Sequence, residues 1–540
     1  MKNERLEKGL DVRERLRTMI KKFQMALSRK NPVSLPVFLF IGAYLLRIIK
    51  VYQDIIITHD GITYINMARI IASGDFGKIS EYSFFNLYPV LIALAQPVFG
   101  DWELSGRMVS AFLGALAIIP FFLMVRKMIG QKVALIASFL YLISPHFIAY
   151  SSEVLRESSF WFFSMMALWL AWEGIGKKKW YLFSLSSIFA GLATFTRIEG
   201  LVIFILIFLW TILFLRQKGV GLKKILAFLL IFSFTFPLLI SPSLWIIKNR
   251  LGRWELGQVG GYFRNLPYLI YGTEKVLEIS PDVLEKTNLP FKGFLEISKR
   301  HRYLLFLSEI FYKFFKSHSI VFSFLLFLTI LRRRSIPYSR SEWAILLWFG
   351  IFYLLSFSYM TRQYYFSTRH GLLMGFPALI WSGIGFYELK GMVEKWCEKI
   401  KRVSSWGNLT TFILILILLL LALPKTFLSS QDGKIVLRKT GNYLKASGYS
   451  NLKFTGQPEL VRIAFYAGSD FIPLPPERSF EEMIKFIKEN QISLLVIDEK
   501  TIAMYSGDLA KALNSENFER IPVSSLKVEE KYSIAIYRIR

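Results

Sequence analysis

In "THDGITYINMARIIASGDF", residues 58–76, an aspartate stands just where the first long apolar run of the chain has ended. Further ionisable residues break the same pattern. Glu153, Arg156 and Glu157 lie in "SSEVLRES", Arg197 and Glu199 in the tight turn "TRIEG", and Arg362 and Arg369 flank "QYYFST". Each group falls between two apolar runs. Charge near membrane depth is expensive and usually faces a bundle interior or a cavity on a substrate path. Arginine grips phosphate oxygens bidentately and stays charged at any relevant pH. A carboxylate within reach of an acceptor hydroxyl can remove its proton as the hydroxyl attacks. Carboxylates and arginines in one hollow beside lipid therefore suit a substrate with an anionic phosphate head on a hydrocarbon tail. Transfer of a sugar from a polyprenyl phosphate fits that description, the arginines stabilising charge on the departing phosphate. No nucleotide-binding Gly-rich loop is present, which agrees with a lipid-linked donor.

The elements that must position these groups are membrane helices. Of 540 residues, 53% are hydrophobic and 16% aromatic, and the mean hydropathy is +0.40. That is too apolar for a soluble protein. Apolar runs near the roughly 20 residues needed to cross a hydrocarbon core of about 30 Å give eleven predicted spans: 34–52, 104–125, 132–150, 158–175, 181–196, 200–215, 224–246, 318–332, 342–360, 370–388 and 407–424. The net charge of +28 is gathered in short clusters between runs, so topology explains it better than nucleic acid does. With the N-terminus cytoplasmic, "RKMIGQK", "KKK" (177–179), "RQKGVGLKK", "RRRSIPYSR" and "KGMVEKWCEKIKR" all fall inside, as the positive-inside rule requires. The stretch 84–100 is short and interrupted by Pro89 and Pro97. Counting it as a span would place every basic cluster outside, so it reads as an interfacial or re-entrant segment.

The predicted organisation is a basic cytoplasmic segment over 1–33, a transmembrane unit over 34–424 and an extracytoplasmic α/β domain over 425–540. The transmembrane unit carries a first outer loop at 53–103 and a large one at 248–317. In the last domain "LKFTG", "RIAFYAG", "SLLVIDEK" and "YSIAIYRIR" read as strands and "SFEEMIKFIKEN" as an amphipathic helix. A single cysteine, Cys397, excludes an internal disulfide and a Cys-based zinc site. The charged first 34 residues suit a retained signal anchor better than a cleaved signal peptide. Duller roles compete at each site. Asp60 could be a helix N-cap, Glu153 and Glu157 could share a helical face with Arg156, and Arg197 and Glu199 could staple a turn. Arg47 and Lys50 would snorkel to the interface. His146, His318 and His370 are scattered singly without ligand-like spacing, which suits structural or acceptor-contact roles.

The chain resembles the C-type glycosyltransferases of the protein O-mannosyltransferase and aminoarabinose transferase kind, glycosyltransferase family 39 and its prokaryotic relatives. The carriers are "HDGITYINMARIIASGDF", with Asp60, Tyr64, Ala68 and Gly74, followed by "YPVLIALAQPVFGDWELSGRMVSAFLGAL", "ISPHFIAYSSEVLRESSFWFF" and "GLATFTRIEGLVIF". Residues 35–215 carry the resemblance well and the later spans weakly. It implies a polytopic α-helical glycosyltransferase architecture in which Asp60 is the base and Glu157 shapes the same site. Arg107, Arg197 and Arg369 match positive positions in relatives, and Arg156 and Arg362 join them as candidates for the donor phosphate. Glu153, Glu199 and Tyr64 complete the candidate set. The implied donor is dolichyl-phosphate mannose or a bacterial undecaprenyl-phosphate sugar, transferred with inversion to a lipid, glycan or protein acceptor. A divalent metal is left open, since relatives differ and this chain offers carboxylates without clustered histidines. The competing class is a transporter or flippase of an anionic lipid-linked substrate. It would call for repeated halves and mid-membrane sites, whereas here the halves do not match and the charges gather at one face.

Overall fold

The computed structural model describes residues 34–54, 56–75, 78, 86–251, 300–332, 339–363, 366–399, 407–428, 434–475, 480–500, 518–521 and 532–539. The eleven predicted spans fall on helical stretches, although 104–125, 132–150, 318–332 and 370–388 each cross a break between helices. Among the described residues seven helices are long and apolar enough to cross a membrane, or nine if each of two bent pairs is one span. The bends have local causes. In the pair Gln131–Ile143 and Pro145–Ser152, a 53° break falls at Ser144, which stands before a proline that cannot continue the hydrogen-bond ladder. The pair Arg302–His318 and Ile320–Leu331 turns by 112° at Ser319, whose φ of 71° reverses the chain. Arg302–His318 belongs to the predicted loop 248–317, of which 252–299 lie outside the described residues. The predicted segment 1–33 lies outside them as well.

The stretch 84–100 contains a helix, Leu87–Phe99, of 13 residues. At 1.5 Å per residue it is about 20 Å long, short of a hydrocarbon core. Asn86 caps its start by accepting from the Tyr88 amide, and Gly100 closes it in the left-handed conformation. Asp101 caps the next helix in turn, its Oδ1 accepting from the Leu104 amide at 2.7 Å. The helix carrying Asp60, His59–Ser73, is capped by Thr58, which accepts from the Gly61 amide at 3.0 Å. The N-cap role considered for Asp60 therefore falls to Thr58.

The bundle core is dense in aromatic rings, with Trp161, Trp210 and Trp348 among the largest fully buried side chains. Glycines let backbones approach. A Cβ on Gly385 would lie 1.9 Å from the Leu325 carbonyl oxygen of the facing helix.

The C-terminal region forms a five-stranded sheet of order β2-β1-β3-β5-β4: β1 Lys453–Gly456, β2 Asp470–Pro473, β3 Leu494–Asp498, β4 Phe518–Arg520 and β5 Ile534–Ile539. β1 pairs in parallel with β2 and β3, while β5 runs antiparallel to β3 and β4. β1, β3, β5 and the Phe480–Glu489 helix fall where the sequence places them. "RIAFYAG" does not form a strand: Val461–Ala467 is a helix ended by Gly468 in the left-handed conformation. Its buried residues Ile463, Ala464, Tyr466 and Ala467 follow helical spacing, which a short window confuses with alternation.

Candidate functional site

Four chain turns at one end of the bundle deliver the charges. Asp60 lies in the first turn of its helix, Glu157 opens the helix Glu157–Lys177, and Arg197 and Glu199 fill the turn between Trp180–Thr196 and Gly200–Gln217. Arg369 sits in the short helix Thr368–Gly371. The other ends of the Glu157 and Gly200 helices lead into the basic segments at 177–179 and 216–224. Acidic and basic site groups therefore occupy one end and the lysine-rich loops the opposite one.

Arg369 Nη1 donates to Asp60 Oδ2 at 2.6 Å and lies 3.8 Å from Glu157 Oε1. Arg197 Nη1 donates to that same Glu157 oxygen at 2.5 Å. Arg197 also holds Glu199 with both Nε and Nη2. The result is a continuous string, Asp60–Arg369–Glu157–Arg197–Glu199, from residues up to 309 positions apart. Its inner members are dry, Glu157 at 3% and Arg197 at 5% side-chain exposure, while Asp60 remains 40% exposed. Glu157 Oε2 is buried without a hydrogen-bond partner. A buried carboxylate oxygen left unpaired marks a place for an outside donor.

The electrostatics separate the acids. Burial pushes Asp60 up, but the Arg369 guanidinium outweighs it, helped by Arg156 and His59, and holds the carboxyl below its usual value. Burial likewise opposes ionisation of Glu199, and Arg197 overrides it, leaving the carboxyl at about 2. Glu153 moves the other way, to about 7, through burial and then through Asp54 and Glu157, with Arg107 and Lys434 opposing.

Arg156 stands 6.0 Å over the Tyr64 ring, which packs edge-on against Tyr88. Both therefore border the string. Glu153 is the extended C-cap of Pro145–Ser152, so it does not share a helical face with Glu157. Arg107 is engaged elsewhere: Nε and Nη2 donate to Glu103 and Nη1 to the Asp54 carbonyl at 2.7 Å. The side chain of Arg362 lies outside the described residues. Arg47 does not snorkel. It is fully buried, donating to Ser151 Oγ and the Ala43 carbonyl with its guanidinium 5.1 Å from the Tyr141 ring. Lys50 pairs with Asp54 at 3.1 Å, and Ser152 donates to the other Asp54 oxygen. The interior supplies the partners that the interface would otherwise have to provide. His318 bonds Ser382 Oγ, and His370 contacts Ser367, which agrees with structural roles. Among the described residues no three His, Cys, Asp or Glu side chains converge as a metal site. Asp60, Glu157 and Glu199 each face an arginine in the string.

The comparisons with known proteins point the same way. Residues 87–246 match the family described as dolichyl-phosphate-mannose-protein mannosyltransferase. A curated protein of Aquifex aeolicus (strain VF5), described as uncharacterized, is 34% identical over 108 residues, which are 20% of this chain and 22% of that protein. The structure of ArnT from Cupriavidus metallidurans bound to undecaprenyl phosphate aligns with a TM-score of 0.54 at 13% identity, covering 93% of this chain and 97% of that one. Archaeal oligosaccharyltransferase AglB from Archaeoglobus fulgidus, in complex with an inhibitory peptide and a dolichol-phosphate, aligns at 0.52 and 13%, covering 93% and 74%. The fold is that of a polytopic C-type glycosyltransferase with a small C-terminal sheet region. Within that class, residues 87–246 carry the likeness to the mannosyltransferase family.

Proposed function

We propose that the chain moves a sugar from a polyprenyl-phosphate donor to an acceptor hydroxyl on the extracytoplasmic face of the membrane, with inversion at the anomeric carbon. The observation that carries this reading is the string in which Asp60 and Glu157 share Arg369. Asp60 is the exposed acid and takes the acceptor's proton. The acceptor oxygen forms the new bond to the anomeric carbon as the bond from that carbon to the phosphate oxygen breaks. The electron pair leaves with the polyprenyl phosphate. Arg369 meets the charge that develops there, and Arg156 reinforces it. Glu157 and Glu199 keep Arg197 and Arg369 in place, and the unpaired Glu157 Oε2 accepts from a substrate hydroxyl.

The ion pair also implies an order of events. While Arg369 grips Asp60, the carboxylate is a weakened base. A donor phosphate that draws Arg369 toward itself releases Asp60 at the moment it is needed. The fold likeness supports a lipid-linked donor, since ArnT is seen with undecaprenyl phosphate and AglB with a dolichol-phosphate. The orientation, with the N-terminus cytoplasmic and the C-terminal domain outside, rests on the basic loops.

The test is incubation of the purified full chain with dolichyl-phosphate mannose or undecaprenyl-phosphate sugars, radiolabelled in the sugar, together with a membrane lipid and peptide extract. Label passing to an acceptor, and lost in Asp60→Asn, supports the reading. Passage of the donor across vesicles without transfer would instead mark a flippase.

A further inference from the structure

The described residues between the Ser34–Gln53 helix and the Asp60 helix belong to no helix or strand, and such backbone must find partners for its amides and carbonyls elsewhere. Asp54 gives its carbonyl to Arg107. Ile57, three residues before Asp60 and 1% exposed, finds both of its partners in the C-terminal domain. Its N–H donates to Tyr466 Oη at 2.9 Å, and its carbonyl accepts from Arg462 Nε at 2.8 Å. These contacts join residues more than 400 positions apart. Tyr466 also reaches Glu103 Oε1 at 3.4 Å, the carboxylate that holds Arg107. Beside them Arg69, on the Asp60 helix, lies 5.6 Å from the Phe465 ring. Tyr466 is buried in the same apolar cluster as Ile57, Ile62, Tyr64 and Ile65. One short helix of the C-terminal domain, Val461–Ala467, thus clamps the chain on the approach to Asp60.

We propose that Tyr466 and Arg462 are positioning residues: by pinning both backbone groups of Ile57 they set where the Asp60 carboxylate stands, so that the C-terminal domain completes the geometry of the transfer site. The proposal rests on Asp60 being the base. Both act through the Ile57 backbone, so under the proposal loss of the clamp misplaces the base without removing a binding contact. Small misplacements of a reacting group lower turnover by up to about 100-fold.

The experiment uses the full chain in lipid nanodiscs, with Tyr466→Phe, Arg462→Met and the double variant, and Tyr449→Phe as a control elsewhere in the domain. Hydrogen–deuterium exchange is followed over residues 54–62, and transfer is measured with the labelled polyprenyl-phosphate sugars. Exchange in that segment should quicken in Tyr466→Phe and more so in the double variant. The kcat should fall about 10-fold or more while the donor KM stays within about twofold, and Tyr449→Phe should match the parent in both respects. Unchanged exchange over 54–62 in the double variant overturns the clamp. So does an unchanged kcat in that variant when Asp60→Asn is inactive. Full transfer by Asp60→Asn would instead overturn the assignment of the base, with the exchange result still deciding whether the clamp exists.

Discussion

Asp60 and Glu157 are both carboxylates beside Arg369, yet their surroundings differ, and the proposed function gives them different work. Asp60 is open to water and acceptor, so Asn at this position should keep the fold and lower kcat by about 10²- to 10⁴-fold, the usual worth of a general base; near-parental turnover would remove it from that role. Its low pKa sets the acid limb of the profile. The base is ionised above that value in the donor-free enzyme, so kcat/KM should persist below the ordinary carboxylate range and fail only on further acidification. Arg197 stands between two buried acids. Arg197→Met removes the arginine that holds Glu199 and leaves Glu157 with Arg369 alone, 3.8 Å away, and should destabilise the protein by about 3–5 kcal/mol. Adding Glu157→Gln should restore part of that loss, as read from denaturation in detergent. Glu153 carries the opposite pH sign. Its folded value of about 7 lies above the ordinary 4.5, so the native state binds more protons across that window and stability falls as pH rises through it. Glu153→Gln should flatten the difference in Tm between about pH 5 and about pH 8, and an undiminished difference would assign it to other groups.

At the scale of elements, the turn at 197–199 matters because two helices must close on each other within three residues. Gly200 makes that closure feasible. A Cβ there would sit 2.3 Å from the Thr194 amide nitrogen, which is backbone and cannot step aside. Gly200→Ala should therefore displace Arg197 and Glu199 together and reduce transfer at least as severely as Arg197→Met. Retained activity would show that the turn tolerates opening. The sequence marked this turn by its charges but gave no sign of the crowding. The Val461–Ala467 helix is the converse case. Its apolar residues read as alternation over so short a stretch, and only the Pro458 and Gly468 boundaries hinted at a helical turn. The bracing pairs Lys50–Asp54 and Glu103–Arg107 were open to inspection as four-residue spacings. Their burial was not.

For the whole molecule, the arrangement predicts two chemically distinct ends. Cys397 is the single cysteine, so Cys397→Ser provides a blank background for single cysteines. A cysteine at Ser447, in the C-terminal domain, should react with a membrane-impermeant maleimide from outside intact cells. One replacing Lys178, in the loop at 177–179, should react only after permeabilisation. The reverse pattern would place the site toward the cytoplasm and end the proposed topology.

Composition and the spacing of apolar runs were enough to determine a helical membrane chain, its end-to-end charge asymmetry and the acids and arginines that defy it. These follow from the cost of polar groups in lipid, which acts locally along the chain and is written in every span. Which of those charges meet was decided only by tertiary structure: Asp60 finds Arg369 across 309 residues, while Arg107 turns to Glu103 and Asp54 instead. Arg47 shows the same limit, for its burial depends on Ser151 and Tyr141 arriving from other helices. A side chain's partner is set by packing between distant segments, and no window of neighbouring residues contains it.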